Sequence, residues 1–126
     1  MSIEVGPESD INPADVVATL RERGIDVVRV SFPDLIGVDR GRDVLLSELE
    51  RAMHHGLAFC RAVYHTSPQG DVIPVAGGLD AGLPDIKVVP DLRTLTPLPW
   101  EPDAVWCIAD ARDPGGAPAG ESPREV

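Results

Sequence analysis

One lysine, two cysteines and five aromatic side chains are all that this 126-residue sequence has of three residue classes that many protein chemistries need. With 11 basic against 21 acidic residues and a net charge of -10, it lacks the clustered cationic surface that phosphate backbones require. The same deficit excludes a polybasic membrane anchor. Cys60 and Cys107 are too few for a disulfide framework, so both thiols are expected free in a reducing compartment. Long apolar runs are absent, which excludes a bilayer-spanning helix. The start, Met1 to Asp10, has neither a basic cluster nor an apolar stretch, so no signal peptide is expected and the expected location is cytoplasmic. Phe32, Phe59, Tyr64, Trp100 and Trp106 cannot make a core alone, and Val, Leu, Ile and Ala must supply most of it. A hydrophobic content of 43% is ordinary for a globular chain, and the length allows one domain of modest core.

Residues 1–11 read as a flexible lead-in. Asn12-Pro13-Ala14-Asp15 then has the chemistry of a helix start, with a capping side chain, proline at the first turn and an acid at the positive end of the dipole. Val16, Val17 and Leu20 give that short helix its buried stripe, and Gly24 closes it. Alternation over Asp26 to Phe32 predicts a half-buried strand with Val28, Val30 and Phe32 inward. Pro33 to Gly37 is turn chemistry, and Val38 to Leu45 is expected to return as its hairpin partner, with Arg40 and Arg42 on one face. Ser47 and Glu50 have capping-box spacing for a main helix carrying Leu49, Ala52 and Met53 inward and ending at Gly56. Leu57 to Tyr64 reads as a third β-rich run. From His65 to Pro84 the composition predicts a long loop with one short strand near Val72 to Val75. Strands follow at Ile86 to Val89 and at Ala104 to Ala111, the latter apolar on both faces, joined by an extended Pro97–Pro99 crossing on which Trp100 covers apolar surface. Residues 113–126 show no periodicity and are expected to lack any docked element. Strands around one main helix, with a short N-terminal helix, predict an α+β fold.

Several pieces in this order resemble the N-terminal β-grasp (ubiquitin-like) domain of the glutamine synthetase family, most closely its γ-glutamyl-amine ligases such as γ-glutamylpolyamine synthetases. They are Val30-Ser31-Phe32-Pro33-Asp34-Leu35-Ile36-Gly37, Arg40-Gly41-Arg42, Gly56-Leu57-Ala58-Phe59, Val89-Pro90-Asp91-Leu92-Arg93-Thr94-Leu95, Leu98-Pro99-Trp100, Asp113-Pro114-Gly115-Gly116 and Ser122-Pro123-Arg124. The resemblance implies a β-grasp domain over residues 12–112 and a linker over 113–126 toward an absent C-terminal catalytic domain. It implies an ATP-dependent ligase joining glutamate to ammonia or an amine, with nucleotide and Mg or Mn on the missing domain and no cofactor on this chain. Its implied partners are that domain and neighbouring subunits of a ring-shaped homo-oligomer, whose active sites this domain covers. Nucleic acid and membrane are not among them. Alone, the chain is expected to be inactive.

At one position the family brings this domain to the chemistry: an Asp just after the Phe of Gly-x-x-Phe holds ammonium. Here that position is Cys60, followed by Arg61, which disfavours a bound ammonium ion and points to another amine or an inert site. The plainer reading has Cys60 filling a buried strand position. His54, His55, His65, Cys60 and Asp71 lack metal-ligand spacing, and the expectation is two solvated helix-end histidines and one loop histidine. Gly77-Gly78 and Gly115-Gly116 lack the phosphate-cradling pattern and read as turns. Two rival readings remain: a stand-alone β-grasp interaction or regulatory module (or a truncated gene remnant), and a small hydrolase using Cys60 and His65.

Overall fold

The structure is a computed structural model and describes residues 11–125. The lead-in of residues 1–11 therefore lies, but for Ile11, outside the described residues.

Helix α1 spans Pro13–Glu22, and the Asn12 carboxamide accepts from the Ala14 amide at 3.0 Å, as its position before proline predicts. Val16, Val17 and Leu20 are its buried face. Strands β1 (Val27–Pro33) and β2 (Asp39–Leu45) form the expected hairpin, with Val30 opposite Arg42 and Ser31 opposite Gly41. A 3-10 turn, Leu46–Glu48, leads into α2, Leu49–His55. The Ser47 capping box does not form: Ser47 is consumed in the 3-10 turn, and Glu48 occupies the cap position without a side-chain bond. Gly56 ends α2 at φ 71°, in the left-handed region open to glycine.

Strand β3 (Leu57–Cys60) is shorter than the apolar run suggested, because Arg61–Tyr64 turns into a 3-10 helix. Between 65 and 84 there is one isolated bridge, Thr66 with Val72, in place of the expected short strand. β4 (Asp85–Pro90), β5 (Thr96–Leu98) and β6 (Glu101–Arg112) complete a sheet of order β2-β1-β6-β4-β3, with β5 also on β6. Among the described residues, only β1 and β6 run parallel, and the other strand pairings are antiparallel. A parallel pair at the centre, antiparallel strands outside it and helices on one face are the α+β β-grasp arrangement.

The helical face of the sheet carries the core. Leu20 and Leu49 close over Val28, Val30, Ile86, Val88, Val105 and Cys107, all at most 1% exposed. Phe32 anchors one end, with the Phe59 and Tyr64 rings edge-on at 4.9 and 6.0 Å between centroids. Burial pushes the Cys107 thiol up to about 12, so it packs as a small apolar group. The other face is polar: Arg29 ties Asp43 of β2 to Glu101 of β6, and the Trp106 indole donates to Ser31 Oγ at 2.6 Å. Trp100 does not cover apolar surface as expected; it stands 71% exposed at the β5–β6 turn, because Pro99 and Trp100 lie outside both strands.

The expectation of an undocked C-terminal stretch is also corrected. Residues 113–117 form a turn, Ala119 is fully buried, and Arg124 reaches Asp91 at 3.1 Å and Asp110 at 3.3 Å. Periodicity was absent there because the packing is made by single residues spaced along an irregular backbone.

Candidate functional site

Three segments far apart in sequence enclose an open cavity of about 670 Å³: the β1–β2 turn, the stretch 61–77, and Glu121. The turn is built by Asp34, whose buried carboxylate accepts from the amides of Ile36 (3.0 Å) and Val38 (2.8 Å) and from Arg40 Nε (3.0 Å). Gly37 adopts φ 80°, closing a turn that a side chain would strain. With the backbone so fixed, Leu35 and Ile36 are held outward, 58% and 47% exposed.

The second wall begins at Arg61. Its side chain is only 9% exposed and carries two carboxylates: Asp113, and Glu121 with oxygens 2.9 and 2.8 Å from Nη1. Burial alone would lower the guanidinium pKa; the two carboxylates outweigh it and raise it. Burial likewise raises the Tyr64 phenol, whose hydroxyl is buried without a hydrogen-bond partner. His65 is buried as well, with Nε2 3.3 Å from Glu121 Oε2 and with its carbonyl accepting from the Ile73 amide at 2.7 Å. The loop then folds over the ring, and a Cβ on Gly78 would stand 2.6 Å from His65 Nδ1, so only glycine fits there.

Sequence reasoning singled out Cys60 and Arg61 together, and the structure separates them. Cys60 is exposed at the end of edge strand β3, which corrects the expectation of a buried strand thiol. Arg61 turns inward to Asp113 and Glu121, so it does not face outward beside Cys60. The His65 ring does not pair with Cys60: its Nε2 lies against Glu121 and its Nδ1 has no hydrogen-bond partner. His54 and His55 are exposed as expected, and His65 lies in a loop as expected, where it is buried against Glu121. Gly77-Gly78 and Gly115-Gly116 lie in turns. Among the described residues no three His, Cys, Asp or Glu come together as a set that could hold a metal ion, and none of their helices is long and apolar enough to cross a membrane. Glu121 escaped notice, and its signal was slight: one acid in an aperiodic stretch, 60 residues from its arginine.

A second polar knot sets the pH behaviour. Asp91, 5% exposed at its side chain, accepts from Arg93 and Arg124, and these bonds hold its carboxyl below the usual carboxylate range against the opposing effect of burial. Burial is the largest single influence on Asp34 and would raise it, but the bonds from Val38, Arg40 and Ile36 together outweigh it and do the same there. Folded carboxyls that resist protonation contribute stability above the unfolded value, about 3.9, and lose it as pH falls through the lower folded value. Thermal melts should therefore give a Tm that is flat from pH 7 to about 5 and falls below about 4. Asp91→Asn should lower Tm at pH 7 and make that fall shallower; an unchanged acid slope would contradict the role given to Asp91.

No family model matches the chain. Glutamate–isopropylamine ligase of Pseudomonas sp is 28% identical over 110 residues, covering 85% of this chain and 24% of the ligase. γ-Glutamylputrescine synthetase of Escherichia coli (strain K12) is 34% identical over 101 residues, covering 79% of this chain and 21% of the synthetase. A solved structure described as apo GmaS without ligand superposes with a TM-score of 0.69 at 29% identity, over 88% of this chain and 24% of that one. The chain thus spans about a quarter of the length of the relatives it matches. In sequence and in fold its homologues are glutamine synthetase-like γ-glutamyl-amine ligases, and it corresponds to their N-terminal part.

Proposed function

We propose that this chain acts as the N-terminal β-grasp domain of a glutamine synthetase-like, ATP-dependent ligase that joins glutamate to ammonia or an amine. Residues 12–112 form the domain, and 113–126 lead toward a catalytic domain that holds nucleotide, metal and glutamate. The observation that carries this reading is the homology itself: most of this chain matches about a quarter of enzymes named for ligating glutamate to amines. Its own surface supports a covering role. Leu35, Ile36, Val38, Val72, Ile73, Val75 and Leu79 are all more than a third exposed, and four of them line the cavity. Apolar surface of this kind gains free energy when another protein surface removes it from water. In an assembled ring the domain packs subunits together and completes a neighbour's substrate pocket. Activation of glutamate is assigned to the catalytic domain.

The test uses the chain with ATP, magnesium, glutamate and a panel of amines. Phosphate release should equal the blank. Turnover at an ordinary enzymatic rate, about 1 per second or more, would place the chemistry here and overturn the assignment.

A further inference from the structure

Four side-chain polar atoms are buried without a hydrogen-bond partner among the described residues, and three of them gather at one place. Arg61 Nε, Tyr64 Oη and His65 Nδ1 belong to side chains that line the cavity beside Glu121. Buried polar groups are normally paired, so such a cluster calls for a partner from outside the chain. His65 Nδ1 stands apart, because it lies against Gly78, where an added Cβ would be 2.6 Å away. The other two are donors on side chains at least nine-tenths buried, Arg61 at 9% and Tyr64 at 3% exposure. The guanidinium gives Nη1 to Glu121 and Nη2 to Asp113, which leaves Nε–H unused. What both donors lack is an acceptor, and the surrounding charge decides its kind. Glu121 on the same wall and Asp113 outside it already match Arg61, so no surplus positive charge draws an anion. The guanidinium in turn disfavours a cation. A neutral carbonyl oxygen remains, with lone pairs for both donors. Around it Leu35, Ile36, Ile73 and Val75 form an apolar rim, and about 670 Å³ is within the size range of small-molecule sites.

We propose that this cavity is a binding site for a neutral carbonyl compound with a compact apolar body. The carbonyl oxygen accepts from Arg61 Nε–H and Tyr64 O–H, and the body covers Ile36, Ile73 and Val75. The irregular backbone of residues 66–77, tied down by the Thr66–Val72 bridge, shifts outward to admit it. Neither glutamate, nucleotide nor a protonated amine fits that description, so the proposal goes beyond the ligase reading and does not depend on it.

Two-dimensional ¹H–¹⁵N NMR titration of the full chain tests it, with acetophenone as the carbonyl probe. α-Methylstyrene is its isostere without an acceptor, benzoate the anion and 1-phenylethylammonium the cation. Acetophenone should shift the amides of Ile36, Tyr64, Ile73 and Gly77 and bind more tightly than either charged probe. Tyr64→Phe removes one donor and keeps the ring. It should weaken acetophenone about three- to tenfold, the range of one neutral hydrogen bond, and leave α-methylstyrene unchanged. A merely structural role for the hydroxyl would move both probes alike. Ile73→Ser, on the exposed rim, should weaken both neutral probes and gives a second reading should Tyr64→Phe fail to fold. Tighter binding of benzoate or of the ammonium probe, equal losses for both neutral probes in Tyr64→Phe, or no shifts at the cavity would each overturn the proposal. Ligase turnover by the chain is measured separately, so the two readings fail separately.

Discussion

Replacing Gly41 by alanine should lower Tm by roughly 10–15 °C, the largest effect expected of any one-carbon change in the chain. Gly41 sits on β2 opposite Ser31, and its added Cβ would collide with the Val30 carbonyl oxygen and lie 2.9 Å from Ser31 Cα. Both obstacles are backbone atoms of the neighbouring strand, so no rotamer change relieves them. The hairpin must part locally, which weakens the ladder that seats Val30 and Phe32 in the core. Overpacking against fixed backbone costs about 3 kcal/mol, and for a domain of this size that corresponds to roughly 3–5 °C per kcal/mol. Gly115→Ala is the control: nothing lies within 4 Å of its Cβ, and its Tm should move by no more than about 2 °C. A Gly41→Ala protein melting with the parent would show that β1 and β2 are not paired in this register.

Arg61→Ala should release the C-terminal stretch while leaving the sheet intact. The arginine is 9% exposed, and its loss leaves Asp113 and Glu121 without their cation. Breaking a fully buried ion pair costs about 3–5 kcal/mol. Here the carboxylates are 40% and 29% exposed, so water recovers part of that and about 2–3 kcal/mol is expected. The location of the effect is as informative as its size. The amides of Ala119 and Ser122, which donate to Ala111 and Ala119, should lose hydrogen-exchange protection in the variant. The β1–β6 amides should keep theirs. Arg61→Lys should recover only part of the loss, because one ammonium cannot reproduce the planar fork that meets two acids. Unchanged exchange at Ala119 and Ser122 would mean that Arg124, not Arg61, holds this stretch.

Local patterns made most of the fold legible. Asn12 before Pro13, the alternation of Val28, Val30 and Phe32, and the turn residues Asp34 and Gly37 each act within a few positions, and the structure shows each doing so. Ser47 misled because capping-box spacing does not reveal that the backbone first makes a 3-10 turn. Trp100 misled because an indole is usually covered, and nothing in a short Pro-Trp segment tells whether the covering surface belongs to the same chain. The candidate site was largely illegible for one physical reason. Arg61, Asp113 and Glu121 are joined by charge across 52 and 60 positions, and such pairs leave no periodic trace. Cys60 was the visible residue, yet it stands in solvent, while the buried polar work falls to its neighbour Arg61 and to His65.

The most direct measurement is a graft. This chain, joined in place of the N-terminal quarter of γ-glutamylputrescine synthetase from Escherichia coli, should give an assembled protein that releases phosphate in the presence of glutamate and an amine, at a rate above that of the synthetase lacking its N-terminal quarter. A graft that folds, with this chain's melting transition preserved, yet turns over no faster than the shortened enzyme would contradict the role assigned to this chain.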